Sequence, residues 1–257
     1  MIGSLRRRRG VGLVVLGVGA YLVFLLVNLP ASWLGFALER ASRGALSLGE
    51  PAGTVWKGSG LLALRSGGAF RGIADIEWRT NPLPLLAGRL SVALSGAAPE
   101  AGLRASVSLG AGSVRFRNVE VNAPAVLLEP LVPAAAFAKP EGRLRVLADS
   151  FEIGGGGVVG AASVEWLEAG VLQTRQLGDY RLQITGMGER AELKLATLRG
   201  DLRLTGGGEW RAAQPRIVQL RGLAEAAAER KDLEPLLQTM GIAGAGPSRP
   251  FVWTVPI

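Results

Sequence analysis

Leu90-Ser91-Val92-Ala93-Leu94-Ser95-Gly96-Ala97-Ala98-Pro99-Glu100-Ala101-Gly102-Leu103-Arg104-Ala105-Ser106-Val107-Ser108-Leu109 decides how the chain folds. Leu90, Val92 and Leu94 alternate with Ser91, Ala93 and Ser95. Leu103, Ala105, Val107 and Leu109 alternate with Arg104, Ser106 and Ser108. Side chains of a strand point to opposite faces in turn, so this period of two predicts strands with one apolar and one wet face. The short Gly-Ala-Ala-Pro-Glu interval marks a turn, too brief for a parallel crossover, and the pair is therefore antiparallel.

The same alternation continues on both sides, at Val114/Phe116, Leu144/Val146, Tyr180/Leu182/Ile184, Leu193/Leu195 and Leu202/Leu204. Further turns are predicted at Gly67-Gly68, Gly154 to Gly157, Gly186-Met187-Gly188 and Gly206 to Gly208. A weak repeat shows through: Glu77-Trp78 follows Gly53 much as Glu165-Trp166 follows Gly142. It divides the β-rich part into two related meanders, about 45–130 and 138–221, unless strands of similar length coincide by chance.

The N-terminus is different in kind. Residues 11–29 form one apolar run without a charge, directly behind Arg6, Arg7, Arg8 and Arg9. Nineteen helical residues rise about 28 Å, close to the hydrocarbon thickness of a bilayer. Basic residues stay cytoplasmic, so residues 1–10 should face inward and the chain beyond 29 should lie across the membrane. The run exceeds a secretory signal's apolar core and lacks a good small-residue cleavage site, which favours an uncleaved anchor over a cleaved signal. Within 30–44, Trp33, Leu34, Ala37 and Leu38 recur at helical spacing. That helix either lies at the membrane surface with Trp33 at the interface or caps the domain. A second amphipathic pattern predicts a short C-terminal helix over about 222–241. The expected architecture is mainly β: a transmembrane helix, then an antiparallel, curved β-meander domain over 45–257.

Composition narrows the function. The chain has 29 Lys+Arg against 21 Asp+Glu. Four of these cations are Arg6–Arg9 and residues 1–30 hold no acid, leaving 25 − 21 = +4 for the rest. Arg115, Arg117, Arg143 and Arg145 alternate with apolar residues, the pattern of a solvated strand face and not of a nucleic-acid-binding patch. No nucleic-acid partner is expected. There is no histidine and no cysteine. Ser-His-Asp and Cys-His nucleophiles are thereby impossible, and the commonest zinc ligands are missing. The carboxylates are scattered, and Gly155-Gly156-Gly157-Val158-Val159-Gly160 reads as a turn into a strand, without the helix a dinucleotide site needs. No catalytic residue, cofactor or metal is expected.

Several motifs carry a resemblance in their order. Pro30-Ala31-Ser32-Trp33-Leu34 follows the apolar run. Next come Gly53-Thr54-Val55-Trp56-Lys57-Gly58-Ser59, and Trp78 with Pro82, Leu85, Leu86 and Gly88. The second half has Leu177-Gly178-Asp179-Tyr180-Arg181-Leu182, then Leu195 to Trp210 with Gly206 and Gly208, and finally Leu236-Leu237 with Met240-Gly241. In order and spacing the chain resembles the protein N family of the bacterial type II secretion system. The resemblance implies a non-enzymatic, single-pass inner-membrane subunit with a periplasmic β-domain, whose partners are other secretion subunits. Trp33, Gly53, Trp56, Gly58, Trp78, Pro82, Gly178, Tyr180, Gly206, Gly208 and Trp210 become structural or docking residues under it. An alternative is an AsmA-like, bridge-type β-groove whose apolar face takes phospholipid.

Overall fold

The fold was obtained as a computed structural model that describes residues 16–66, 69–98, 101–129, 139–171, 176–214, 217–227, 233, 237–238, 242 and 248–256. Thirteen strands form one curved, open sheet in which each strand pairs antiparallel with its sequence neighbours. They are β1 (Leu46–Gly53), β2 (Lys57–Ser66), β3 (Ala69–Asn81), β4 (Leu90–Ala98), β5 (Ala101–Gly110), β6 (Ser113–Pro124) and β7 (Glu141–Gly154). They continue as β8 (Gly157–Gly170), β9 (Gly178–Gly188), β10 (Arg190–Gly200), β11 (Leu202–Arg211), β12 (Ile217–Ala226) and β13 (Ser248–Pro256). The sheet runs unbroken across the middle of the chain, because β6 pairs β7 from Ser113↔Gly154 to Pro124↔Arg143.

Register converts the sequence alternation into two faces. One row passes through directly opposed residues Ile76, Gly96, Leu103, Val121, Val146, Val164, Leu182, Leu195, Gly206, Gly222 and Phe251. Every member is apolar or glycine. The neighbouring row on the other face runs Glu77, Ser95, Arg104, Glu120, Leu147, Ser163, Gln183 and Lys194. A slip of one residue in any strand would exchange these sets, so burial of the first row fixes the register. The wet face is laced by cross-strand pairs, including Arg115–Glu152 at 2.6 Å, Arg181–Glu165 at 2.7 Å and Arg145–Glu120 at 3.4 Å.

Two cores cover the ends of the apolar face. The Ser32–Ala41 helix lays Leu34 and Leu38 against Leu48, Ala74, Ile76 and Trp78. At the far side Leu233, Leu237 and Ile242, all fully buried, pack on Tyr180, Leu193, Leu202, Leu204, Leu220 and Phe251. Each such aliphatic side chain stabilises the fold by about 1.5–3 kcal/mol. Val121, Val146 and Val164 in the middle strands belong to neither core and are half-buried.

The structure corrects several sequence expectations. Gly186 to Gly188 run out of β9 into its hairpin with β10, as predicted, whereas Gly206 to Gly208 lie inside β11 and not in a turn. Their lack of a side chain makes room for close backbone neighbours: a Cβ on Gly206 would lie 2.6 Å from the Arg221 carbonyl oxygen. Gly222 to Ala226 complete β12, whereas the C-terminal helix was expected to begin there. The helical residues described in that region are Leu233, Leu237 and Gln238. β13 was not foreseen. Residues 155–156 do form the tight turn predicted for that glycine run.

Among the described residues no helix is long and apolar enough to cross a membrane. Residues 16–27 are helical and solvent-exposed throughout, and Arg6, Arg7, Arg8 and Arg9 lie outside the described residues.

Candidate functional site

The sequence motifs converge on two places, and the first is a clasp where the apolar helix meets the sheet. The loop between β1 and β2, Thr54-Val55-Trp56, receives the chain leaving residues 16–27. The Val55 N–H donates to the Leu29 carbonyl at 2.9 Å, and the Trp56 indole N–H donates to the Leu26 carbonyl at 2.8 Å. The Ala31 N–H donates to the Gly53 carbonyl at 3.2 Å. The loop is held in turn from β3. Trp78, 4% exposed, donates its indole N–H to the Thr54 carbonyl at 2.9 Å. The Thr80 hydroxyl donates to the Val55 carbonyl at 2.8 Å, and the Thr80 N–H to the Trp56 carbonyl at 2.7 Å.

The glycines of the motif are what this arrangement requires. Gly53 has φ +88, where L side chains are strained, and a Cβ there would lie 2.5 Å from the Lys57 carbonyl oxygen. Gly58 sits directly opposite Trp78, and a Cβ on it would lie 2.5 Å from the indole. Pro82 precedes the 3-10 turn Leu83–Ala87 that follows the clasp. Trp33 is not part of it: its side chain is exposed on the Ser32–Ala41 helix.

The second place is centred on Tyr180 in the other half of the sheet. Its hydroxyl donates to the Leu202 carbonyl at 2.9 Å, and its ring lies 6.3 Å from that of Trp166. The Trp166 indole N–H donates to the Glu141 carbonyl at 2.8 Å, much as Trp78 donates to Thr54. Gly142, beside Glu141, has φ +94, matching Gly53 beside Thr54. Gly178 opens β9 opposite Gly200, and Gly208 pairs Leu193 and Leu220. Trp210 packs against the C-terminal core.

Asp179 is the residue that sequence reasoning did not single out. Its carboxylate is buried and accepts from the Glu168 N–H at 2.6 Å and from the Arg199 guanidinium at 2.5 Å. Both donors lie at register shifts, one between Trp166 and Ala169 in β8 and one between Thr197 and Arg199 in β10. One carboxylate therefore pins two bulges. Only its place between Gly178 and Tyr180 hinted at this.

A hollow of ≈ 860 Å³ lies on the wet face of β2–β6 around Asp75, Glu77, Arg104 and Glu120. Serines and glycines such as Ser59, Ser95 and Gly102 leave it open. Among the described residues no group of three or more His, Cys, Asp or Glu is placed to hold a metal. On the same face the Arg115 guanidinium, with help from Ser113, holds the Glu152 carboxyl below its ordinary value of 4.5. These are pairings of a structural sheet face.

A family model described as type II secretion system (T2SS), protein N, matches residues 44–251, from just before β1 into β13. Neither a curated protein nor a solved structure matches the chain.

Proposed function

The chain belongs to the type II secretion system protein N family, and from that premise we propose that it is a non-enzymatic accessory subunit supporting assembly and stability of the secretion machine. The family match over residues 44–251, from β1 into β13, is the observation that carries this reading. In it, residues 11–29 anchor the chain once in the inner membrane, Arg6–Arg9 stay cytoplasmic, and the sheet stands in the periplasm against other secretion subunits. Support for the anchor comes from the exposed apolar helix of residues 16–27 and the four arginines ahead of it. The clasp supports it too, because it fixes the direction in which that helix leaves the sheet. In-frame deletion in the parent bacterium should make exoproteins accumulate in the periplasm, and the full chain supplied in trans should restore their export. Unchanged secretion in the deletion strain would sink the proposal.

One observation favours a second reading, lipid binding on the apolar face. Val121, Val146 and Val164 lie between the two covered ends and join neither core. Phospholipid co-purifying in stoichiometric amount, detected by mass spectrometry, would support it. In vivo crosslinks from this face to secretion subunits, without lipid, would remove it.

A further inference from the structure

Antiparallel pairing divides the strand ends of the sheet into two rims. The clasp lies on one rim, together with the start of every even-numbered strand and the end of every odd-numbered one. The large apolar side chains left exposed are concentrated there. Leu83 is 71% exposed and Leu85 40%, both on the 3-10 turn that follows β3. Leu109 and Ile153 end their strands on this rim, as does Met187, and all are exposed. Leu109 and Ile153 both pair with Val114, so they share one row beside the rim. The opposite rim offers fewer such residues, and Phe70 among them is covered by the Arg65 guanidinium 5.0 Å from its ring.

A second, independent observation concerns charge. Lys57 and Arg79 stand directly opposite each other at this rim, both exposed, and neither makes an ion pair with a described residue. Like charges placed opposite in a sheet repel, so the pair is relieved by an anionic partner. The third is position. Thr80 is bonded to the loop that holds Leu26, and Leu83 lies three residues on, within about 11 Å of the clasp along the chain.

We propose that this rim is a lipid-surface docking site: Leu83 and Leu85 enter the boundary between headgroups and acyl chains, Leu109, Ile153 and Met187 rest on it, and Lys57 and Arg79 meet anionic phosphates. Apolar groups with basic flanks bind an anionic interface through buried area plus electrostatic attraction. The inference rests on residues 11–29 being the anchor. It sets the strands upright on the membrane, with the opposite rim pointing away.

The absence of cysteine makes the test direct. Single cysteines at Leu22, Leu83, Ile153, Met187 and Leu198 in the full chain are labelled with an environment-sensitive fluorophore. The proteins are reconstituted in phosphatidylethanolamine–phosphatidylglycerol vesicles carrying shallow or deep lipid-chain quenchers, and circular dichroism checks their fold. Leu198 is the matched control, apolar and 44% exposed on the far rim. The expected result is deep quenching at 22, shallow quenching with a blue shift at 83, 153 and 187, and none at 198. Quenching at 22 without quenching at 83, 153 and 187 overturns the rim proposal and leaves the anchor standing. No quenching at 22 overturns the anchor and the rim proposal with it. Equal quenching at 198 and 83 overturns orientation by this rim.

Discussion

Replacing Trp78 by Phe isolates what the clasp contributes. The substitution removes the indole N–H donated to the Thr54 carbonyl at 2.9 Å and leaves that acceptor without its partner. Losing the partner of a buried polar group costs about 1–3 kcal/mol. The smaller ring also gives up roughly 40 Å² of buried apolar contact, about 1 kcal/mol at 25 cal/mol per Å². A loss of about 2–4 kcal/mol corresponds to roughly 30- to 900-fold faster opening. Native-state amide exchange at Val55 and Thr80 is the assay, since their N–H groups close the same loop on Leu29 and Trp56 and local opening is read residue by residue. Thr80→Val removes a second support of that loop, the hydroxyl bond to the Val55 carbonyl. The double variant should therefore show a coupling of at least about 0.5 kcal/mol. Trp33→Phe, on an exposed side chain, should stay within about 0.5 kcal/mol of the parent. If Trp78→Phe leaves exchange at both amides unchanged, or the two substitutions add without coupling, the clasp does not hold the loop as described.

Gly58→Ala should destabilise by about 1–3 kcal/mol in urea titration, because its methyl would press on the Ala52 carbonyl oxygen and on the Trp78 ring, and Trp78→Ala in the same chain should remove only the ring's share of that penalty. Asp179→Ala should cost about 1.5–3 kcal/mol for the lost charged hydrogen bonds and raise amide exchange at Glu168 selectively, whereas Asp179→Asn should protect that amide better. The Glu152 carboxyl is held below 4.5 in the folded state, so its contribution is present above that value and lost as pH falls through the folded value. Melting temperatures of the parent and Glu152→Gln should accordingly differ at neutral pH and converge in acid, and a constant gap across that range would contradict the assignment.

Fold class was legible because alternation is a property of single strands, and in β4 and β5 Leu90, Val92 and Leu94 stand opposite Leu109, Val107 and Ala105 as their spacing demands. Strand limits were less so. Gly206 to Gly208 carry the letters of a turn, yet they run inside β11, where neighbouring strands and an aromatic over Gly222 fill the space that side chains would need. Local composition cannot distinguish a glycine that bends the chain from one that yields room to a partner from another strand. Gly222 to Ala226 suffered the reverse error: Leu223 with Ala227 fits a helical stripe equally well, and only pairing with β11 and β13 decides for a strand. β13 was hidden by Pro250 and Pro256, which are tolerated because only one side of the strand is paired. The motif glycines and tryptophans were found by sequence, but their job was not. Trp56 and Trp78 reach carbonyls 30 and 24 residues away, and such distances become contacts only after folding.

The order of pairing also has a consequence for biogenesis. Each of the thirteen strands needs only the one before it, so the sheet can grow from its N-terminal edge in step with synthesis. Low separation between partners favours rapid formation, and an early strand does not wait for a distant one. The first three strands already carry everything that locks the emerging domain to its helix. Attachment would thus be complete while most of the chain is still on the ribosome. The last event would be the seating of Leu233, Leu237 and Ile242, which closes the growing end.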